Sequence, residues 1–448
     1  MKTVLIIFCS ILLGGLISSC NNESSLININ DDSDIESITL EEKIYGLSLI
    51  WKEAEYNFVF WDKLNSLDWD NAYSEALLRV INTKDTREYY LELMRFAALL
   101  RDGHTGVWLP NELQIKYGEL PFRANYVDGK HVITNTDVNF KDAHYSEILE
   151  INGLPTQQYI EEKIFPYMWH EKFDSAYNQI FRLVPIIEAG NEIELKTDRG
   201  VFKIKPVTEK INWLKTYSFH NSEDLTWIVT SNILRVGITN DNIAVITIPT
   251  FADNNLPEQF YEILPKIKNC QGFLIDVRQN PGGSSSNAYA VAQAFIKGKF
   301  ESSRAKMPIH NGTYKAWGRT YRFLNEETHI THIPQCPAFI DAPVVILESH
   351  ATGSAAEDFL VVFDNINRAT IVGTASVGST GQPLLNKLPG GGNFRICTRW
   401  CLYPNGKEFI NIGVTPHVYA AMSLDDLKND FDSVFETGMK VLRKQIDK

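Results

Sequence analysis

The chain is short of the features that would place it in several large functional classes. It has six cysteines in 448 residues. None is spaced as CxxC or clustered with histidine, which argues against a zinc site. Cys270, Cys336, Cys397 and Cys401 are the ones left beyond the first twenty residues. Cys397 and Cys401 sit four apart in an apparent strand, too far to bridge along a straight one. All four read as buried free thiols. A net charge of −12 without a basic stripe argues against nucleic-acid binding. There is no Walker lysine spacing and no GxGxxG, so nucleotide cradles find no support. Repeats are missing, and the only long apolar run, Val4 to Leu16, is too short to span a membrane comfortably.

That run is informative for another reason. Lys2 supplies a positive start, and the run ends in Ile17-Ser18-Ser19-Cys20, which resembles a bacterial lipobox. The resemblance implies cleavage before Cys20 and a lipid on its thiol, so that the protein is exported and anchored to a cell membrane, on the periplasmic or outer-membrane face, without spanning it. Asn21 to Glu36 is polar, acidic and aperiodic, as a tether would be.

From Leu40 to about Leu100 apolar residues recur at helical spacing: Ile44, Leu47, Ile50, Trp51 and Ala54, then Ala72, Ala76, Leu77 and Val80, then Leu91, Met94, Ala98 and Leu99. Trp61 and Trp69 read as core aromatics of this bundle. Two glycines close the block at Leu100-Arg-Asp-Gly-His-Thr-Gly106. Residues 107–210 are β-rich, with turns at Asp128-Gly129 and Asp198-Arg199-Gly200, and a helix is expected from Thr156 to about Ile164. The stretch Glu147-Ile-Leu-Glu-Ile-Asn-Gly-Leu-Pro155 resembles part of a PDZ-type module, which holds peptide tails by adding a strand to a sheet edge.

From Ile243 strands and helices alternate: strand 243–248, a helix opened by Pro257 and ending before Pro265, strand 272–277, and a helix over 284–296. The predicted fold class is α/β with short βαβ connections. Residues 300–337 show no periodicity and read as an excursion over the core, a lid or a contact surface. Two strand ends then carry candidate chemistry. Asp276-Val-Arg-Gln-Asn-Pro-Gly-Gly283 exposes backbone N–H groups suited to an anion, and Asp276 and Arg278 are positioned to pair. Val344–Leu347 leads through Ala351-Thr-Gly-Ser354-Ala-Ala356 into a helix. Ser354 there is either a helix cap or a nucleophile at the sheet edge.

These motifs in this order, with Arg368-Ala-Thr-Ile-Val-Gly-Thr-Ala-Ser-Val-Gly-Ser-Thr-Gly-Gln382 and Tyr403-Pro-Asn-Gly-Lys-Glu-Phe-Ile-Asn-Ile-Gly-Val-Thr-Pro-His417, resemble the C-terminal-processing and tricorn-core family of serine peptidases. The Leu99-Leu-Arg-Asp-Gly-His-Thr-Gly-Val107 end of the helical block is similar to the tricorn-like branch. The resemblance implies a ClpP/crotonase-like spiral of ββα units. It divides the chain into a signal peptide (1–19), tether (20–38), helical domain (39–106), PDZ-like domain (107–210) and catalytic core (211–448). It implies a serine endopeptidase working through an acyl-enzyme on peptides or proteins, without metal or organic cofactor. Ser354 would be the nucleophile, with oxyanion donors from Gly282, Gly283 and Ala355. The processing branch has a lysine base where this chain has Ser379. The tricorn-like branch uses a histidine, here His104, and Glu408 is the carboxylate at the matching motif to orient it. That branch also has a serine beside its histidine; Gly103 and Thr105 stand there instead, and the fourth role is left open with Thr105 a candidate. His350 and Lys387 are the rival bases, and Glu357 reads as a first-turn acid. Because the same core occurs in binding modules, a non-catalytic peptide- or lipid-binding protein is the alternative.

Overall fold

The computed structural model describes residues 38–169, 173–214, 225–336 and 339–448. The predicted signal peptide, Cys20 and all of the tether but its last residue lie outside them. Residues 37–448 form one compact unit, and no described helix is long and apolar enough to cross a membrane.

The helical block is three helices, α1 (Leu40–Asn57), α2 (Trp69–Ile81) and α3 (Thr86–Ala98). Each starts at a side-chain cap, Thr39, Asp68 or Asp85, which satisfies N–H groups that have no helical partner. Leu47, Ile50 and Ala54 of α1 are fully buried, but Ile44 is 38% exposed. Trp69 is buried and stacks on Phe96, centroids 4.2 Å apart, whereas Trp61 is only half-buried.

The middle region begins with β1 (Gly106–Trp108), then the hairpin β2 (Phe122–Val127) and β3 (Lys130–Thr136). Its Asp128-Gly129 turn has positive φ at both residues, the twist that two-residue hairpins need. β4 (Ile148–Ile151) follows, then α4 (Phe173–Ile187), β5 (Ile193–Thr197) and β6 (Gly200–Ile204). The predicted 156–164 helix is a short turn of helix, Thr156–Tyr159, running into a wider-wound Ile160–Ile164. The helix α4 was missed, although Tyr177, Ile180, Phe181 and Val184 keep helical spacing and are buried together with Phe122 and Ile133.

The core is a seven-stranded sheet. Its strands in chain order are β7 (Leu225–Thr230), β8 (Arg235–Thr239), β9 (Ile243–Thr247), β10 (Gly272–Asp276), β13 (Val344–Glu348), β14 (Thr370–Gly373) and β18 (Val418–Tyr419), with β11 (Arg304–His310) and β12 (Arg322–Glu327) looping out between β10 and β13. The spatial order is β18-β14-β13-β10-β9-β8-β7. It is parallel from β9 to β18 and antiparallel from β9 to β7. Strands β10 and β13 are buried throughout, as parallel strands covered on both faces must be. Helices α5 (Leu256–Ile267), α6 (Ser285–Ala292) and α7 (Ala355–Asn365) connect the strands, and α8 (Ser433–Ile446) buries Val434, Phe435, Met439 and Leu442 in the cluster built on Val245, Leu274 and Leu347. Helix α5 continues through Pro265, since near a C-terminus the proline removes a single hydrogen bond.

The aperiodic excursion holds the β11–β12 hairpin. Two further strands, β15 (Pro383–Lys387) and β16 (Asn393–Cys397), join β1 in the order β1-β16-β15, and β17 (Trp400–Leu402) pairs with β11. Asp276 and Arg278 do pair, and Asp432, which caps the start of α8, closes the pair, both contacts at 2.7 Å and all three side chains buried. Cys270, Cys397 and Cys401 are buried free thiols, whereas Cys336 is half-buried.

Candidate active site

Adjacent parallel strands end their C-termini at one edge of the sheet, where ligands of open α/β sheets bind. β10 and β13 are such neighbours, so the Gly282-Gly283 turn and the Ser354 turn meet there. Ser354 has φ +52° and ψ −123°. A non-glycine residue held there costs about 1–3 kcal/mol and persists only where its surroundings over-determine it. Here they do. Its N–H donates to the Ser379 carbonyl at 3.0 Å and to the Glu357 carboxylate at 3.2 Å. Its carbonyl accepts from Glu357 N–H at 2.8 Å and Asp358 N–H at 3.1 Å. The main chain thus occupies the first helical turn, and Ser354 lines a large cleft.

Glu357 is fully buried. Beyond Ser354 it accepts from Ser376 Oγ and Gly378 N–H, both at 2.6 Å, and from Ser379 N–H at 3.0 Å. It is more than a first-turn acid: its carboxylate holds the 376–379 loop against the Ser354 turn. Ser379, at the position of the other branch's lysine, is buried, and its Oγ meets His104 Nδ1.

His104 reaches this place because β1, two residues on, pairs antiparallel with β16, Gly106 opposite Arg395. Arg395 donates from Nε to the His104 carbonyl at 2.9 Å and from a terminal nitrogen to Gly103 at 3.2 Å. Burial, with a smaller contribution from the Arg395 charge, pushes the imidazole pKa down to about 3, so the ring is neutral at physiological pH. His104 and Ser354 line the same cleft, and Ser379 links them through its hydroxyl on one and its carbonyl on the other.

The other candidates are placed differently. Glu408 accepts from Trp400 Nε1 at 2.8 Å, and among the described residues the side-chain partner of His104 Nδ1 is Ser379, where Glu408 was expected. Glu408 stays in the neighbourhood: it and Asp102 both act on the Lys63 ammonium, which lies 4.4 Å over the Trp400 ring. Thr105 is engaged in structure, donating to Asp102 at 2.6 Å and accepting from Cys397 N–H at 3.0 Å. His350 and Lys387 do not line the cleft.

Of the expected oxyanion donors, the Gly282 N–H is already taken by Asn280 Oδ1 at 2.9 Å. This Asx-type turn could have been read from Asn280 two positions before Gly282. Gly282 serves by being small: a Cβ there would lie 2.6 Å from Ser354 Cβ. Gly283, at φ +136°, bridges Phe251, and the flanking bonds from Phe251 to Gly282 and from Ser284 to Phe251 turn its own N–H away from Phe251. Gly283 lines the cleft, and Ala355 opens α7, where N–H groups lack helical partners.

The cleft encloses about 1220 Å³. Its wall includes Trp108, Met168, Trp169 and Arg182 from the middle region, so that region borders the chemistry. Among the described residues no group of three or more His, Cys, Asp or Glu could hold a metal.

Ser354, on a turn at the edge of the α/β sheet, lines the same cleft as His104. Residues 242–420 match the model of Peptidase family S41. The matched segment contains Ser354, Gly283 and Glu408 and leaves His104 outside. The carboxy-terminal-processing protease of Bartonella bacilliformis is 27% identical over 186 residues, 41% of this chain and 38% of that protein. The carboxy-terminal processing protease CtpA of Bacillus subtilis is 24% identical over 186 residues, 41% of this chain and 36% of that one. The chain thus spans less than two fifths of the length of these relatives. Among solved structures, mature CPAF superposes with a TM-score of 0.72 at 16% identity, over 91% of this chain and 98% of that chain. At such identity it is the fold that is shared, and it is shared from the helical block to the core.

Proposed function

We propose that the chain is a serine peptidase that cleaves peptide bonds in peptides or proteins. The observation that carries this reading is Ser354 on a strained turn, tied through Ser379 to a neutral imidazole. His104 Nε2 takes the Ser354 Oγ proton as Oγ attacks the peptide carbonyl, then returns it to the leaving amine. Gly283 and Ala355 N–H groups donate to the oxyanion, and water releases the acyl group by the same steps reversed. Ser379 Oγ accepts from Nδ1–H, which leaves the Nε2 lone pair toward the nucleophile. Glu408 acts from behind, through Trp400 and the shared Lys63, without touching the ring.

A serine-directed fluorophosphonate tests this. The unsubstituted chain should label and Ser354→Ala should not. A folded chain that stays unlabelled and hydrolyses no peptide returns the protein to the binding alternative.

The middle region is read as a PDZ-like module holding the substrate tail. Supporting this is a groove of about 210 Å³ between β2 and α4, lined by Phe122, Phe181 and Trp213. Cys20 is read as the lipid-bearing residue of an exported, anchored protein. Cys20→Ser should move the protein from the membrane to the soluble fraction and abolish labelling by a palmitate analogue.

A further inference from the structure

The cleft is lined by charge of one sign. The chain carries a net charge of −12, yet the ionic side chains lining the cleft are Arg182, Arg395 and Arg399, and among the described residues no aspartate, glutamate or lysine lines it. Arg395 is committed to the carbonyls of Gly103 and His104. Arg399 is not. Its Nε is buried and has no hydrogen-bond partner among the described residues, and the carboxylate paired with its terminal nitrogen, Glu327, stands 4.0 Å away.

The Arg399 charge acts on Asp358 behind the wall, but the hydrogen bonds of the acids there come from other groups. Asp358 is buried and accepts from Ser285 at 2.6 Å and Ser303 at 2.8 Å, and Glu357 is taken up by the 376–379 loop. Arg182 is exposed on α4 and lines the cleft and two smaller cavities, one within the middle region and one between it and the helical block. It therefore stands where a bound chain would pass from one to another. A guanidinium that lines a walled cleft and makes only a 4.0 Å ion pair through its terminal nitrogen can recognise a carboxylate there, and a cleft of one sign concentrates ligands of the other.

We infer that the cleft selects peptides with acidic side chains near the cleaved bond, Arg399 pairing with the carboxylate and Arg182 drawing in a second one further along. This rests on the cleft being the substrate site. A peptide carboxylate has two sources, an Asp or Glu side chain and the chain's own C-terminus, and the experiment separates them.

The probe is a set of short fluorescein-labelled peptides, identical except for Glu, Gln or Lys at the central positions, each with a free and an amidated C-terminus. Binding is read by anisotropy on Ser354→Ala, at low and at physiological salt. The Glu peptide should bind at least about tenfold tighter than the Lys peptide at low salt, less so as salt screens the attraction, and amidation should change little. Arg399→Glu should invert the order, and Arg399→Lys should weaken it without inverting it. Equal binding of Glu and Lys peptides overturns the inference. So does a preference that vanishes on amidation, or one that survives both Arg399→Glu and Arg182→Glu. Hydrolysis of the same peptides by the unsubstituted chain is read separately: discrimination without turnover removes the peptidase and keeps the acidic preference.

Discussion

The two halves of the proposed catalytic pair are built in opposite ways. The nucleophile's half is local. Ser354 and Glu357 lie between the neighbouring strands β13 and β14, Ser379 lies just past β14, and one buried carboxylate binds the three together. The base's half is assembled at long range. His104 leaves the helical block and is held by three residues of β1 paired with β16, and by one arginine from the same strand. On the proposed mechanism the core supplies the nucleophile, and the end of the helical block supplies the base. The family model that covers 242–420 contains Ser354 and leaves out His104.

The largest effect should come from the local half. Ser354→Ala should lower kcat/KM by about 10⁴-fold or more with the fold intact by circular dichroism. Unchanged turnover would remove Ser354 from the reaction. His104→Ala should cost about 10³-fold or more and slow fluorophosphonate labelling in parallel while the melting temperature stays close. If labelling keeps its rate, the two halves are not coupled. Ser379→Ala cuts the link between them and should lower kcat by about 30-fold with little change in KM, and Ser379→Thr should recover most of it. A change confined to KM would make Ser379 a substrate contact. Glu408→Gln should cost under about tenfold, because Glu408 bonds Trp400 and not the imidazole; a loss as large as that of His104→Ala would restore it to the ring.

The smallest expected effect is a shift along the pH axis. His104 is held near 3, against about 6.5 for an unperturbed histidine. The ring is the working base only when unprotonated, so kcat/KM should hold from neutrality down to about pH 5 and fall only below it. Burial dominates and Arg395 adds to it, so Arg395→Gln should move the acid limb upward by part of that gap. An acid limb centred near 6.5 in the unsubstituted protein would mean that the ring is solvated.

What could be read from the sequence follows the same division. Ser354 and the glycine turn were legible because each is a local strand-to-turn signal. The α/β core was legible because buried parallel strands are plain apolar runs. His104 was placed by the order of motifs alone, since nothing in Asp102–Thr105 says which strand it meets. The Ser379–His104 contact was not legible, because it depends on pairing between residues nearly 300 positions apart. The hairpin of residues 304–327 was hidden for a different reason. It alternates weakly, with Ile309 and Phe323 left exposed, so neither face reads as a core. Helix α4 carries a readable pattern in Tyr177, Ile180, Phe181 and Val184.

The strip that seats His104 has a further consequence. Three paired residues and one arginine are a small cooperative unit, and small units open at a lower free energy than the whole molecule. Each opening withdraws the base and leaves the rest of the fold standing. The working fraction of molecules is therefore an equilibrium of its own, set by how firmly residues 106–108 lie on 393–395. On the proposed mechanism, a peptide bound across Trp108 and Arg395 would close that equilibrium by mass action and so help to seat the base that acts on it.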